Sequence, residues 1–368
     1  MTAQAASLAG HSYLLMAGGT GGHVIPALTV AKELQQRGAE IQWLGTRKGI
    51  EAKLVPAAGI ELHYLDVEGV RGKGIASLLK APFLINKAIA QAAKVIRRVQ
   101  PNAVLGMGGF ASGPGGIAAR LAGVPLVIHE QNAVAGTTNC LLAKLAATRK
   151  LQAFPGALKG AEQTGNPIRE EVSELWNDDK RIEARLASGA SPRLLVLGGS
   201  LGAMAINEMM PAALKLLSAE QRPQVWHQCG ERHLTSCRES YQLANVDARV
   251  DAFIEDMAAA YSWADFIVCR AGALTVSEIA AVGVAAVFVP FPHAIDDHQT
   301  KNAQWLLDAG AAKVIQQSEL DADKLASLLE ELLSDPEVLV EMAAKGRALA
   351  SPNATERVAD VCVEAGHG

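Results

Sequence analysis

Aromatic side chains make up only 4% of this 368-residue chain, so its cores have to be filled largely by Ala, Leu, Val and Ile. Cysteine is sparse as well. The five present, Cys140, Cys229, Cys237, Cys269 and Cys362, have no metal-binding spacing, and their odd number argues against a disulfide framework. A reducing cytoplasm fits that usage. No apolar run approaches the length of a transmembrane helix. Residues 1–10 place no basic leader before an apolar segment, so they do not read as a signal peptide. Asn353-Ala354-Thr355 matches a glycosylation triplet, which carries no meaning in a cytosolic protein.

What remains is an ordinary globular composition, 49% hydrophobic and 20% charged. The length allows two substantial domains. The net charge of -4 conceals an asymmetry: residues 1–168 hold 17 Lys/Arg against 8 Asp/Glu, and residues 169–368 hold 17 against 30. The first half is attracted to an anionic surface or a large anion, and the second is repelled by one.

Glycine is where the chain is rich, and its 34 residues are grouped. The stretch Met16-Ala-Gly-Gly-Thr-Gly-Gly-His23 follows the apolar run Tyr13–Met16 and precedes apolar residues at helical spacing, Ile25, Leu28, Ala31 and Leu34. A strand, a glycine turn and a helix start are thus written side by side. Glycines let backbone N–H groups approach a ligand, and a helix N-terminus favours an anion or polarised oxygen. Leu194-Leu-Val-Leu-Gly-Gly-Ser-Leu-Gly-Ala203 repeats the arrangement half a chain later, which predicts two α/β halves with a cleft between them. The same turn also serves as a plain connector in open α/β sheets. The spacing does not match a dinucleotide fingerprint, which argues against a dehydrogenase.

Further strands are expected at Glu40–Leu44, Ile60–Val67, Pro101–Leu105 and Leu126–Ile128, then at Leu194–Leu197, Val225–His227, Val250–Phe253, Asp265–Arg270 and Ala285–Val289. Gly106–Gly116 reads as a glycine loop that opens a helix from Ile117 to Leu121. Turn residues around Phe154-Pro-Gly156 and Gly165-Asn-Pro-Ile-Arg169 place the domain junction there. The division is 1–165 for a first Rossmann-like domain and 166–350 for a second, with 351–368 a helix packing back across the junction.

The basic loop Gly69–Ile75 leads into an amphipathic segment with Lys73, Lys80 and Lys87 among Ile75, Leu79 and Phe83, and with Arg71 just before it. Such a segment can rest on anionic lipid, or it can cover a sheet and present a solvated basic face. It has no nucleic-acid recognition motif or interleaved stacking aromatics. Asn132, at a strand's C-terminal end, can meet a sugar hydroxyl or cap a turn. Arg169 can reach a phosphate or simply be solvated. Glu278 can accept both hydroxyls of a ribose or sit favourably near a helix N-terminus. His293, Asp296, Asp297 and His298 read as sugar partners or a cap rather than as a metal site, because zinc needs three or four converging ligands.

Taken in order, Gly18–His23, Gly106–Gly116, His129-Glu-Gln-Asn132, Gly165–Arg169, Gly198–Ala203, Arg270–Glu278 and Asp297–Ala303 resemble the motifs of the bacterial MurG glycosyltransferases, from about residue 12 to residue 362. The resemblance implies an α/β, GT-B architecture of two Rossmann-like domains with a deep interdomain cleft. It implies inverting transfer of N-acetylglucosamine from UDP-N-acetylglucosamine to the 4-hydroxyl of undecaprenyl-diphosphate-linked N-acetylmuramoyl-pentapeptide. The product is lipid II for peptidoglycan synthesis. The alternatives are another UDP-sugar GT-B transferase, a UDP-sugar epimerase, or a non-enzymatic membrane scaffold.

By the same resemblance, Ile254 offers backbone groups to uracil, Ser200 and Arg169 contact the diphosphate, Glu278 the ribose, and Asn132 with Gln299 the sugar. Thr20, Gly21 and Gly22 lie over the donor from the first domain, and Ala273, Leu274, Thr275, Val276 and Ser277 border it from the second. His23 is the candidate general base, or else orients the acceptor. No metal or other cofactor is expected. Arg71, Lys73, Ile75, Leu79, Lys80, Phe83 and Lys87 are the expected acceptor or membrane surface. Anionic lipids and cell-envelope synthesis proteins are the expected partners, at the cytoplasmic face of the bacterial inner membrane, peripherally bound. Phe110 stands where a tyrosine also occurs in the family, so no phenolic hydroxyl is required there.

Overall fold

The computed structural model describes residues 7–67, 75–178, 180–199, 202–292 and 297–367, with residues 75–81 described by their backbone alone. The chain forms two compact units, Met1–Arg169 together with Asn353–Gly368, and Glu170–Pro352. The first passes to the second a few residues beyond the turn-rich Gly165.

The first unit is a parallel sheet of β1 (Ser12–Met16), β2 (Glu40–Gly45), β3 (Glu61–Tyr64), β4 (Ala103–Gly106), β5 (Leu126–Glu130), β6 (Arg149–Gln152) and β7 (Glu162–Gln163). Its order is β3-β2-β1-β4-β5-β6-β7. The second unit holds β8 (Arg193–Leu197), β9 (Gln224–Gln228), β10 (Arg249–Asp251), β11 (Phe266–Cys269), β12 (Ala285–Phe288) and β13 (Ala312–Val314). These lie in the order β10-β9-β8-β11-β12-β13, also parallel. Each sheet therefore starts in the middle, runs outward one way, then crosses back. The central strands are continuous apolar runs, as expected of a parallel sheet covered on both faces: Leu14, Leu15, Met16, Val104 and Leu105 are buried in the first unit, and Leu194, Leu195, Val268 and Val287 in the second.

Three strands go beyond the expected set. β6 (Arg-Lys-Leu-Gln), β7 (Glu-Gln) and β13 (Ala-Lys-Val) lie toward or at sheet edges, where one open side tolerates polar residues and apolar periodicity fades. Gly106–Gly116 is also shorter as a loop than its composition suggests, because the helix begins at Ser112. The reason is packing. A Cβ on Gly115 would lie 2.2 Å from Met16 Sδ, and one on Gly116 would lie 2.7 Å from Leu142 Cδ2. Those glycines bring the helix against its neighbours rather than loosen the chain.

The final helix, Ala354–His367, belongs to the first unit, burying Val358, Ala359, Val361, Cys362 and Ala365 in a core that includes Val24, Ala27 and Val30 of the helix Gly21–Gln36. Arg357 grips Glu162 with two hydrogen bonds, 2.6 and 3.0 Å, and Arg37 pairs with Asp360. In the helix Ile75–Val99, Ala88, Ala92 and Ile96 are buried, Ala92 and Ile96 within a core that includes Leu14, Met16 and Val104 of the sheet, while Phe83, Leu84 and Ile85 are exposed.

Candidate active site

In both units the glycine segments gather where strand order reverses, at the C-terminal ends of β1 and β4 and of β8 and β11. That crevice is where open α/β sheets bind ligands. In the first unit, β1 delivers Gly18 and Gly19, and Gly19 adopts φ +91°. Thr20 stands at the N-cap of the helix Gly21–Gln36, yet its hydroxyl makes no capping bond, so the first-turn amides of Gly21 and Gly22 are not covered by it. His23 follows within the first turn and is half-buried, with Nδ1 3.3 Å from the Gly18 carbonyl.

The segment after β4 packs directly on this loop. A Cβ on Gly109 would fall 2.5 Å from the Gly18 oxygen, and one on Gly108 would fall 3.0 Å from the His23 ring. Ser112 Oγ ties the two segments together, 3.0 Å from the Met16 carbonyl and 2.7 Å from that of Gly108. Beneath the loop lies Glu51, which is fully buried. Its Oε2 accepts from the Gly19 amide at 2.9 Å, and its Oε1 accepts from the Thr46 amide at 3.0 Å and the Thr46 hydroxyl at 2.7 Å.

One strand over, Glu130 organises the loop bearing Asn132. It accepts from the Asn132 amide at 3.0 Å, the Gly136 amide at 3.1 Å and Asn139 Nδ2 at 2.9 Å. Asn132 itself is half-buried, its Nδ2 3.3 Å from Glu130. His129 points into the protein, bonded through Nε2 to the Gly165 carbonyl at 2.9 Å, and burial pushes its pKa down to about 4. Arg169 is the last residue of this unit and is half-buried.

The second unit repeats the device with a neutral side chain. Gln228, at the end of β9, accepts from the Gly199 amide through Oε1 at 3.0 Å and donates through Nε2 to the Gly199 carbonyl at 3.0 Å. Ser200 and Leu201 lie outside the described residues. After β11, Gly272 caps the helix Ala273–Val282 without any side-chain bond, so backbone amides alone open that helix. Within it Ala273, Leu274 and Val276 are buried, Thr275 and Ser277 are half-buried, and Ser277 Oγ donates back to the Ala273 carbonyl at 2.9 Å. Glu278 is buried and receives the Tyr261 hydroxyl at 2.9 Å. Gln299 Oε1 bridges two strand ends, accepting from the Phe291 amide at 2.9 Å and the Ala271 amide at 3.3 Å. Ile254, in the segment after β10, is buried.

Arg71 and Lys73 lie outside the described residues, as do the side chains of Ile75, Leu79 and Lys80. Phe83 is 75% exposed, and the Lys87 ammonium meets Asp66 at 2.9 Å. The apolar surface is wider than the sequence pattern suggests: Leu121 is 75% exposed, and Leu141 and Leu145 are exposed on the neighbouring helices Ser112–Leu121 and Thr137–Leu145. His293 and Asp296 lie outside the described residues; Asp297 instead accepts from the Thr300 hydroxyl at 2.7 Å. Among the described residues, no group of three or more His, Cys, Asp or Glu could hold a metal ion.

Residues 13–149 match the model of the glycosyltransferase family 28 N-terminal domain, and residues 193–358 that of the glycosyltransferase family 28 C-terminal domain. Over 362 residues, 97% of this chain and 99% of the relative, the sequence is 57% identical to the UDP-N-acetylglucosamine--N-acetylmuramyl-(pentapeptide) pyrophosphoryl-undecaprenol N-acetylglucosamine transferase of Cellvibrio japonicus. The crystal structure of Acinetobacter baumannii MurG is similar with a TM-score of 0.84 and 45% identity, over 96% of this chain and 99% of that one. The chain belongs to the MurG family. Its two Rossmann-like units are the GT-B architecture of that family. A UDP-N-acetylglucosamine 2-epimerase from Neisseria meningitidis shares the fold alone, with a TM-score of 0.66 and 13% identity over 96% of this chain and all of that one.

Glu51, Gln228, Glu130 and Tyr261 have no place among the site residues expected from sequence. Each acts one step behind a loop or side chain that was expected. Glu130 was visible inside a motif. Glu51, Gln228 and Tyr261 are ordinary residues whose meaning comes only from contacts distant along the chain.

Proposed function

We propose that this chain is an inverting N-acetylglucosaminyltransferase that moves N-acetylglucosamine from UDP-N-acetylglucosamine to the 4-hydroxyl of the lipid-linked N-acetylmuramoyl-pentapeptide, forming lipid II for peptidoglycan synthesis. The observation that carries this is the 57% identity along nearly the whole chain, with the family's motifs folded onto the switch-point crevice of each sheet.

Inversion requires direct displacement at the anomeric carbon. As the acceptor oxygen bonds that carbon, the bond to the UDP oxygen breaks, and UDP departs with the electron pair. His23 takes the hydroxyl proton. A backbone carbonyl can only accept, so the contact between Nδ1 and Gly18 keeps the neutral ring's proton on Nδ1 and its lone pair on Nε2. The donor belongs to the second unit, where the helix that opens at Gly272 without a side-chain cap turns its first backbone amides toward the diphosphate, with Ser200 and Arg169. Glu278 takes the ribose, the segment at Ile254 the uracil, and Gln299 with Asn132 the sugar, while Thr20, Gly21 and Gly22 complete the donor site. No cofactor takes part in this scheme.

The first unit meets the membrane peripherally, at the cytoplasmic face of the inner membrane. Exposed Phe83, Leu84, Ile85, Leu121, Leu141 and Leu145 would enter the interface, and the excess of Lys and Arg in residues 1–168 would face anionic headgroups. Cell-envelope synthesis proteins are its natural partners there. UDP release, followed with and without a short-chain lipid-linked acceptor, tests the reading. Release that depends on acceptor is expected; equal release without it would refute transfer.

A further inference from the structure

We propose that Glu51 is a positioning residue for His23, acting through the single peptide group that joins Gly18 to Gly19. The carbonyl of that peptide receives His23 Nδ1 at 3.3 Å, and the N–H of the same peptide is held by Glu51 Oε2 at 2.9 Å. Imidazole, peptide and carboxylate therefore form one chain of hydrogen bonds, with the peptide occupying the middle. The proposal rests on the reading of His23 as the base.

The chain has made room for this carboxylate at three glycines. A Cβ would lie 1.8 Å from Glu51 Oε2 if placed on Gly49, 2.6 Å from Oε1 on Gly18, and 2.9 Å from Cγ on Gly45. Gly18 is buried and Gly109 packs against its oxygen, so water is kept from the linking carbonyl. In that setting consecutive hydrogen bonds polarise one another. A carboxylate pulling on the Gly19 N–H makes the Gly18 oxygen a stronger acceptor, which holds the imidazole in its Nδ1–H form. When Nε2 takes the acceptor proton, the imidazolium charge is met through the same peptide. This is the service a carboxylate gives a catalytic histidine directly in hydrolases, here delivered through one amide.

The second unit supplies the contrast. The residue holding the corresponding glycine amide is Gln228, bonded to both sides of Gly199 and neutral. A carboxylate there would oppose the donor diphosphate, whereas the loop beside His23 has a forming cation to stabilise. The two units use the same mechanical contact, and its charge differs with the chemistry each loop serves.

Glu51→Gln keeps the shape but sets an NH2 against either the Gly19 or the Thr46 amide. A double-mutant cycle on the full chain, with turnover measured at saturating UDP-N-acetylglucosamine and short-chain acceptor, reads the coupling. Glu51→Gln is expected to lower kcat about 10- to 100-fold with the donor KM changed by less than about 2-fold. In the His23→Ala background the same substitution should cost less than about 2-fold, because its target is gone. Effects that multiply, or a Glu51→Gln enzyme with normal kcat, would overturn the proposal. Should the variant not fold, nitrogen NMR of histidine-labelled wild-type protein, with His23 assigned by its Ala variant, decides it: a neutral ring protonated at Nδ1 supports the relay, and one protonated at Nε2 refutes it. That spectrum needs no turnover, so an inactive wild-type protein would refute the transferase reading without touching this test.

Discussion

At the scale of single residues, the site depends on buried groups that touch no substrate. Tyr261 donates its hydroxyl to Glu278, the carboxylate assigned to the ribose. Tyr261→Phe leaves that carboxylate one donor short, and we expect the donor KM to rise about 3- to 10-fold, the equivalent of one hydrogen bond, with kcat little changed. Steady-state kinetics checks it. His227 is another such group, fully buried between the Tyr241 hydroxyl at 2.9 Å and Asn207 Oδ1 at 3.0 Å, with burial pushing its pKa down to about 3. A histidine depressed in the folded state binds its proton more readily when unfolded. Its contribution is therefore complete above the unfolded value near 6.5 and is lost as pH falls toward 3. His129, pushed down to about 4, adds in the same direction. By pH 5 His227 alone should cost about 2 kcal/mol. Thermal unfolding between pH 7 and pH 5 should show the fall, and His227→Gln should flatten it; an unchanged slope would count against His227 as its source.

At the scale of elements, the strand–glycine–helix units were legible because local spacing encodes them: an apolar run, glycines, then helical periodicity. Edge strands were not. Arg149–Gln152 carries no alternation and Ala312–Val314 is only three residues long, too short for its alternation to mark a strand, and it is pairing with an already formed neighbour that makes them strands. The glycines at 115 and 116 misled for the opposite reason, since tight helix packing and a loop draw on the same residue type. Glu51 was invisible because its partner Gly19 is 32 positions away and nothing around it forms a pattern. The proposed membrane face draws only in part on residues that the sequence pattern marks. Lysines among apolar residues marked the helix Ile75–Val99, but the exposure of Leu121, Leu141 and Leu145 follows only from the packing of the neighbouring helices. Phe83→Ser with Leu121→Ser should weaken binding to anionic vesicles about 10-fold or more, given the apolar area withdrawn from the interface. Turnover on a soluble short-chain acceptor should stay within about 2-fold. Vesicle sedimentation that does not distinguish the variant from wild type would remove this face from the account.

At the scale of the whole molecule, two sheets of the same strand order lie in chain halves of opposite net charge, and each brings its glycine segments to its own switch point. The chain returns to its first unit at the end, where the helix Ala354–His367 covers the helix Gly21–Gln36 behind the His23 loop. The central claim is transfer to a specific hydroxyl with inversion. The most direct measurement is incubation of the protein with labelled UDP-N-acetylglucosamine and a short-chain analogue of the undecaprenyl-diphosphate-linked muramoyl pentapeptide, followed by linkage analysis of the product. A β-1,4-linked disaccharide on the lipid is the expected result. Recovery of the donor sugar as its 2-epimer, as free N-acetylglucosamine, or on any other acceptor position would contradict the account.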